Sequence, residues 1–112
     1  MKILVMNWRD IKNPAHGGAE VVTHEHMKRW IKAGHECYLI SSAFPGCQKI
    51  EEIDGYTIYR GGNRFTVYWN AYKIYKKYFK GKVDLVIDEI NTIPFFTPLY
   101  VKEKKMTLIH QL

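Results

Sequence analysis

Asn13-Pro14-Ala15-His16-Gly17-Gly18-Ala19-Glu20, preceded by the apolar run Ile3-Leu4-Val5-Met6, decides the fold of this 112-residue chain. The apolar run reads as a short buried strand over residues 2–7, since branched apolar side chains follow one another without polar interruption. Beyond the loop, an amphipathic helix is predicted over residues 18–33, with Val22, His26, Trp30 and Ala33 on one stripe. Gly34 supplies its C-terminal stop. Two glycines at a strand-to-helix turn permit close backbone approach, because no Cβ stands in the way. The helix start also presents unpaired N–H groups and the positive end of its dipole, which suits a phosphate or another anion. The spacing is neither Gly-x-Gly-x-x-Gly nor a P-loop, so a dinucleotide dehydrogenase or an ATPase is not indicated. A tight turn whose glycines serve backbone geometry alone remains the competing explanation.

Outward from this stretch, strands and helices alternate. A second strand is expected over residues 37–40, and a hairpin over 50–53 and 56–59 around Asp54-Gly55. A second helix is expected over residues 64–80, with Phe65, Tyr68, Ala71, Tyr72, Tyr75, Tyr78 and Phe79 on its apolar face. Lys73, Lys76, Lys77 and Lys80 fall on the other side, and Gly81 ends it. Residues 83–87 read as a buried strand ending in Asp88-Glu89, and residues 106–110 as the last strand. A short helix is expected within residues 94–102. This alternation predicts an α/β domain: a Rossmann-like parallel sheet with helices on both faces. Such sheets bind ligands beyond the carboxyl ends of their strands. His16-Gly17-Gly18, Asp88-Glu89-Ile90-Asn91 and His110 all fall at those ends.

Composition narrows the class. The chain is 46% hydrophobic and carries 17 basic against 11 acidic residues, a net charge of +6. It is globular rather than disordered, and no apolar run approaches a membrane span. The charge favours anionic partners: nucleic acid, acidic lipid or phosphorylated substrates. Cys37 and Cys47 are expected to be reduced thiols of a cytoplasmic protein. No metal site is read, because His24 and His26 are two apart on a helix and diverge.

The ordered set of segments resembles the N-terminal domain of a retaining GT-B glycosyltransferase of the family-four, or group 1, type. The segments are Asn13 to Glu20, Ala33-Gly34-His35-Glu36, Asp54-Gly55-Tyr56 with Tyr59-Arg60-Gly61-Gly62, Val83 to Glu89, and Ile109-His110-Gln111-Leu112. The resemblance spans essentially the whole chain. It implies sugar transfer from a nucleoside diphosphate sugar to a sugar or lipid-linked acceptor, with retained anomeric configuration and no divalent metal or other cofactor. The N-terminal domain holds mainly the acceptor; a C-terminal domain holds the donor and a Glu-x7-Glu motif. No such motif occurs in this sequence, so residues 1–112 are expected to be a truncated, incomplete N-terminal half, inactive alone.

Carried over by position, Gly17 and Gly18 correspond to the loop approaching the donor diphosphate. His110 corresponds to the family's histidine near the reacting sugar and phosphate, the catalytic assignment here. Glu20, Asp88, Glu89 and Asn91 correspond to residues lining the cleft or acceptor site. Plainer roles stand beside these: a solvent-facing strand-end histidine for His110, solvated loop acids for Asp88 and Glu89, a helix-dipole partner for Glu20. A different class also remains open, a non-catalytic basic module. In it Arg64, Lys73, Lys76, Lys77 and Lys80 grip nucleic acid or the anionic inner face of a membrane.

Overall fold

Strand β1 (Lys2–Met6) is apolar on both sides because both sides are covered. Leu4 and Met6 enter one core with Ile40 and Val86; Ile3 and Val5 enter the other with Cys37, Leu39, Ile58 and Ile87. This is the period-two alternation of a strand buried between two layers. The computed structural model describes residues 1–90 and 94–109. The remaining elements are α1 (Gly18–Lys32), β2 (Glu36–Ser41), β3 (Ile50–Ile53), β4 (Tyr56–Arg60), α2 (Val67–Ile74), β5 (Leu85–Ile90) and β6 (Lys104–Ile109). They build the Rossmann-like α/β fold expected, around one six-stranded sheet ordered β3-β4-β2-β1-β5-β6. Every pairing is parallel except β3 with β4.

The chain steps outward from β1 through β2 to β4, then returns to pair β5 on the other side of β1. Right-handed crossovers in opposite directions put their helices on opposite faces. Accordingly Met27 of α1 packs in one core and Val67 and Ala71 of α2 in the other. The point where strand order reverses lies between β1 and β5, and their carboxyl ends flank it.

Local chemistry explains several boundaries. Asp54 and Gly55 both take positive φ (48° and 93°), the type I′ turn that Asp-Gly favours between twisted strands. Gly34, at φ 95°, ends α1, and the following His35 N–H closes back on the Trp30 carbonyl at 3.0 Å.

Four expectations need correction. The buried stripe of α1 is Glu20, Thr23 and Met27; of the expected Val22, His26, Trp30 and Ala33, Trp30 does pack against the same core, whereas Val22 is 46% exposed. The helix is rotated because the sheet's carboxyl end offers it polar partners. On the second helix, Phe65 lies before its start and is 72% exposed, while Tyr78 is also exposed. The buried positions are Val67, Ala71, Tyr75 and Phe79, one every four residues. A four-residue step overshoots the ~3.6-residue turn, so the stripe drifts around an α-helix. The last turn, Tyr75–Phe79, is π-helical, with Lys80 N–H bonded to the Tyr75 carbonyl at 2.9 Å; its wider winding takes up the drift. Third, β5 extends through Asp88 and Glu89, so neither is a solvated loop acid. Between Pro94 and Lys102 the expected short helix is a single 3-10 turn, Thr97–Leu99.

Candidate functional site

At the strand-order reversal, α1 begins directly beyond β1. Gly17 adopts φ −130° and ψ −161°, an extended conformation open to any residue, and Gly18 has no positive φ. Backbone torsion therefore demands glycine at neither position. A Cβ on Gly18 would meet nothing within 4 Å, and one on Gly17 would only touch Glu20 Oε2 at 4.0 Å. The turn opens onto free space. Glu20 is buried and accepts the Gly17 N–H at 3.3 Å, the returning half of a capping box.

One turn later Thr23 is buried against β5. Its Oγ1 lies 2.8 Å from each Glu89 carboxylate oxygen and 3.0 Å from the Ala19 carbonyl. It also accepts from Asn7 Nδ2 at 3.3 Å. A hydroxyl has one proton, so Thr23 serves Glu89 or Ala19 at any instant while Asn7 fills an acceptor site. This chain joins the ends of β1 and β5 to the first turns of α1.

Asp88 belongs to the opposite face, because neighbours on a strand point apart. It accepts the Phe95 N–H at 3.1 Å and the Thr97 hydroxyl at 3.3 Å. Burial raises its pKa above the usual carboxylate value, while the bonds from Phe95 and Thr97 oppose that rise. The structure thus brings Glu20 and Glu89 to the α1 side with Gly17 and Gly18, and separates Asp88 from them. His110 and Asn91 lie outside the described residues.

Sequence reasoning did not find a second polar system at the same sheet end. Arg60, the last residue of β4, has a fully buried side chain. It donates to Asp10 through Nε (2.8 Å) and Nη2 (3.1 Å), and through Nη1 to Glu51 (2.7 Å) and the Gln48 carbonyl (3.0 Å). Ser41 Oγ adds a bond to Asp10 at 3.0 Å, and Lys12 Nζ meets Glu51 at 2.5 Å. Burial lowers the Arg60 pKa, but its bonds to Asp10 and Glu51 outweigh that and hold it above its ordinary value. The network ties the loop after β1 onto β2, β3 and β4, and so fixes where Gly17 and Gly18 sit. Its only sequence signal is an arginine closing an otherwise apolar strand. The partner lies 50 positions away.

Beside this loop Trp8 packs against the α2-side core, with the Arg9 guanidinium 4.1 Å over its ring. Its indole Nε1 is buried and, among the described residues, the side-chain polar atom without a hydrogen-bond partner. Both cysteines are free, and burial pushes the Cys37 thiol up to about 11. Among the described residues no cluster of three or more His, Cys, Asp or Glu side chains has metal-binding geometry. No helix among them is long and apolar enough to cross a membrane. No protein-family model matches the chain, and no curated protein matches it.

Proposed function

We propose that this chain is the acceptor-side domain of a retaining glycosyltransferase using a nucleoside diphosphate sugar, with the donor held mainly by a second domain. One observation carries the reading. Gly17 and Gly18 stand at the N-terminus of α1, at the strand-order reversal, where no torsion requires glycine and open space lies in front. Missing side chains there leave the Gly18 and Ala19 N–H groups accessible to diphosphate oxygens, while Glu20 holds the Gly17 N–H. Glu20 and the Asn7–Thr23–Glu89 chain hold that turn from behind. In the resemblance His110 donates a hydrogen bond to the departing diphosphate, where oriented donors act best with water excluded. The acceptor would approach along the carboxyl ends of the strands, and the setting would be the cytoplasmic face of a membrane carrying the acceptor.

Amide NMR titration with uridine and guanosine diphosphates and their sugars tests the reading. Shifts centred on the amides of Gly17, Gly18 and Ala19, abolished in Gly18→Val, support it. Saturating nucleotide with those amides unmoved refutes the diphosphate role of the turn.

A further inference from the structure

Between α2 and the outer strands runs a groove of about 320 Å³, whose lining includes neither Gly17 nor Gly18. Lys49 enters it from the chain before β3, and Lys73 and Lys77 from the second helix. Asn70 lies at one end, and the rings of Tyr59 and Tyr78, 5.2 Å apart, form its floor. Asn70, Lys73 and Lys77 follow helical spacing, so one helix face supplies all three. Gly61 lets that face come close: a Cβ there would meet Asn70 Oδ1 at 3.2 Å.

The electrostatics are one-sided. Residues 67–79 contain Lys73, Lys76 and Lys77 and no acid. Lys73 and Lys77 are one turn apart and repel. Neither they nor Lys49 belongs to any ion pair among the described residues. Among the described residues no carboxylate lines the groove. Arg60 reaches its wall, but Asp10 and Glu51 already neutralise that guanidinium. A solvated helix face does not need three unpaired cations gathered in a concavity. Low-dielectric walls around one sign of charge concentrate counter-ions. A lysine stem can lie along an aromatic ring and keep its ammonium in water, and Lys77 Nζ sits 5.2 Å from the Tyr78 ring centroid.

We infer that this groove is a second anion site, taking a small ligand with at least two negative phosphoryl charges. Its volume is at the lower end for small-molecule sites, matching a diphosphate with a small attached group. Lys49, Lys73 and Lys77 meet the phosphoryl oxygens, and the tyrosine floor takes the less polar remainder. The same chemistry is offered by a soluble phosphate monoester or diphosphate and by a phospholipid with a phosphomonoester headgroup. The site is independent of the sugar-transfer reading and stands or falls separately from it.

Calorimetric titration with inorganic pyrophosphate, and co-sedimentation with vesicles of phosphatidic acid in phosphatidylcholine, test the inference. Lys73→Gln, Lys77→Gln and Lys49→Gln should each weaken binding about fivefold, the loss expected per lysine facing an anionic surface. Binding should also fade as salt rises. Lys76→Gln is the control, because it removes the same charge from the same helix at a residue that does not line the groove, its ammonium lying 5.4 Å from the Tyr72 ring centroid. Lysine-selective loss with pyrophosphate supports a soluble phosphate ligand. The same loss with vesicles alone supports a lipid headgroup. Equal weakening by Lys76→Gln, or no binding of either probe at low salt, overturns the site.

Discussion

Arg60→Met deletes the centre of the buried ion network while keeping a side chain of similar length. The side chains of Arg60 and Asp10 are fully buried. Without the guanidinium, Asp10 keeps the Ser41 hydroxyl and the Lys12 N–H, and no cation. Removing one partner of a buried pair costs about 3–5 kcal/mol, because the remaining charge stays desolvated. In a domain this size each kcal/mol moves the melting temperature by about 4 °C, so a fall of roughly 12–20 °C is expected. Asp10→Asn combined with Arg60→Met should be less destabilised than Arg60→Met alone, since the orphaned charge is gone. Urea unfolding of the three variants supplies the cycle. A loss under about 1 kcal/mol for Arg60→Met, or simple additivity in the double variant, refutes the account. There is also a pH signature. Bonds from Lys12 and then Arg60 hold Glu51 below its ordinary value of 4.5. Its contribution is present above that value and is lost as pH falls through the lower, folded one. Arg60→Met should therefore flatten the acid limb of the stability profile.

Thr23→Val should cost about 1–3 kcal/mol, because Glu89 and Asn7 lose the hydroxyl between them; urea midpoints measure it, and an unchanged midpoint would sever that chain. Gly18→Val should fold with a nearly unaltered melting curve, since its Cβ meets open space, yet abolish transfer in an enzyme carrying both domains. A large stability loss would return the glycines to a purely structural role. With a thiol-reactive chromophore at pH 8, Cys47 should react quickly in the native protein. Cys37, buried and pushed to about 11, should wait for unfolding; two fast thiols would contradict its placement in β2.

How much of this was legible depends on the range of the chemistry. Asp54-Gly55 and Gly34 were readable because their backbone preferences are local. The strand and helix alternation was readable because it is written in hydrophobic runs. The buried face of α1 was not, because Thr23 and Glu20 look like surface residues until Glu89 and Gly17 are seen against them. Asp88 and Glu89 mimic a loop start in sequence. Only pairing with β6, and for Asp88 with β1 as well, draws them into the sheet. The Asp10–Arg60 link was invisible for a simpler reason: nothing local distinguishes a buried ion pair across 50 residues from two surface charges.

Glu89 and Asp88 show what this sheet end is organised to do. Adjacent on β5, they face opposite layers, and each is held by donors from the layer it faces: Thr23 from α1, Phe95 and Thr97 from the segment after β5. Burying a carboxylate is costly unless such donors are fixed in place, so each acid draws its segment onto the strand ends. The Arg60 network does the same for the loop after β1. Three polar anchors thus converge on the segments around the strand-order reversal, while the turn at Gly17 and Gly18 lies free in front of them. A turn held from behind and open ahead keeps its N–H groups aimed without reorganisation when an anion arrives. In the proposed reading, that preorganisation, rather than any single contact, is what would let the turn bind an oxyanion at little cost.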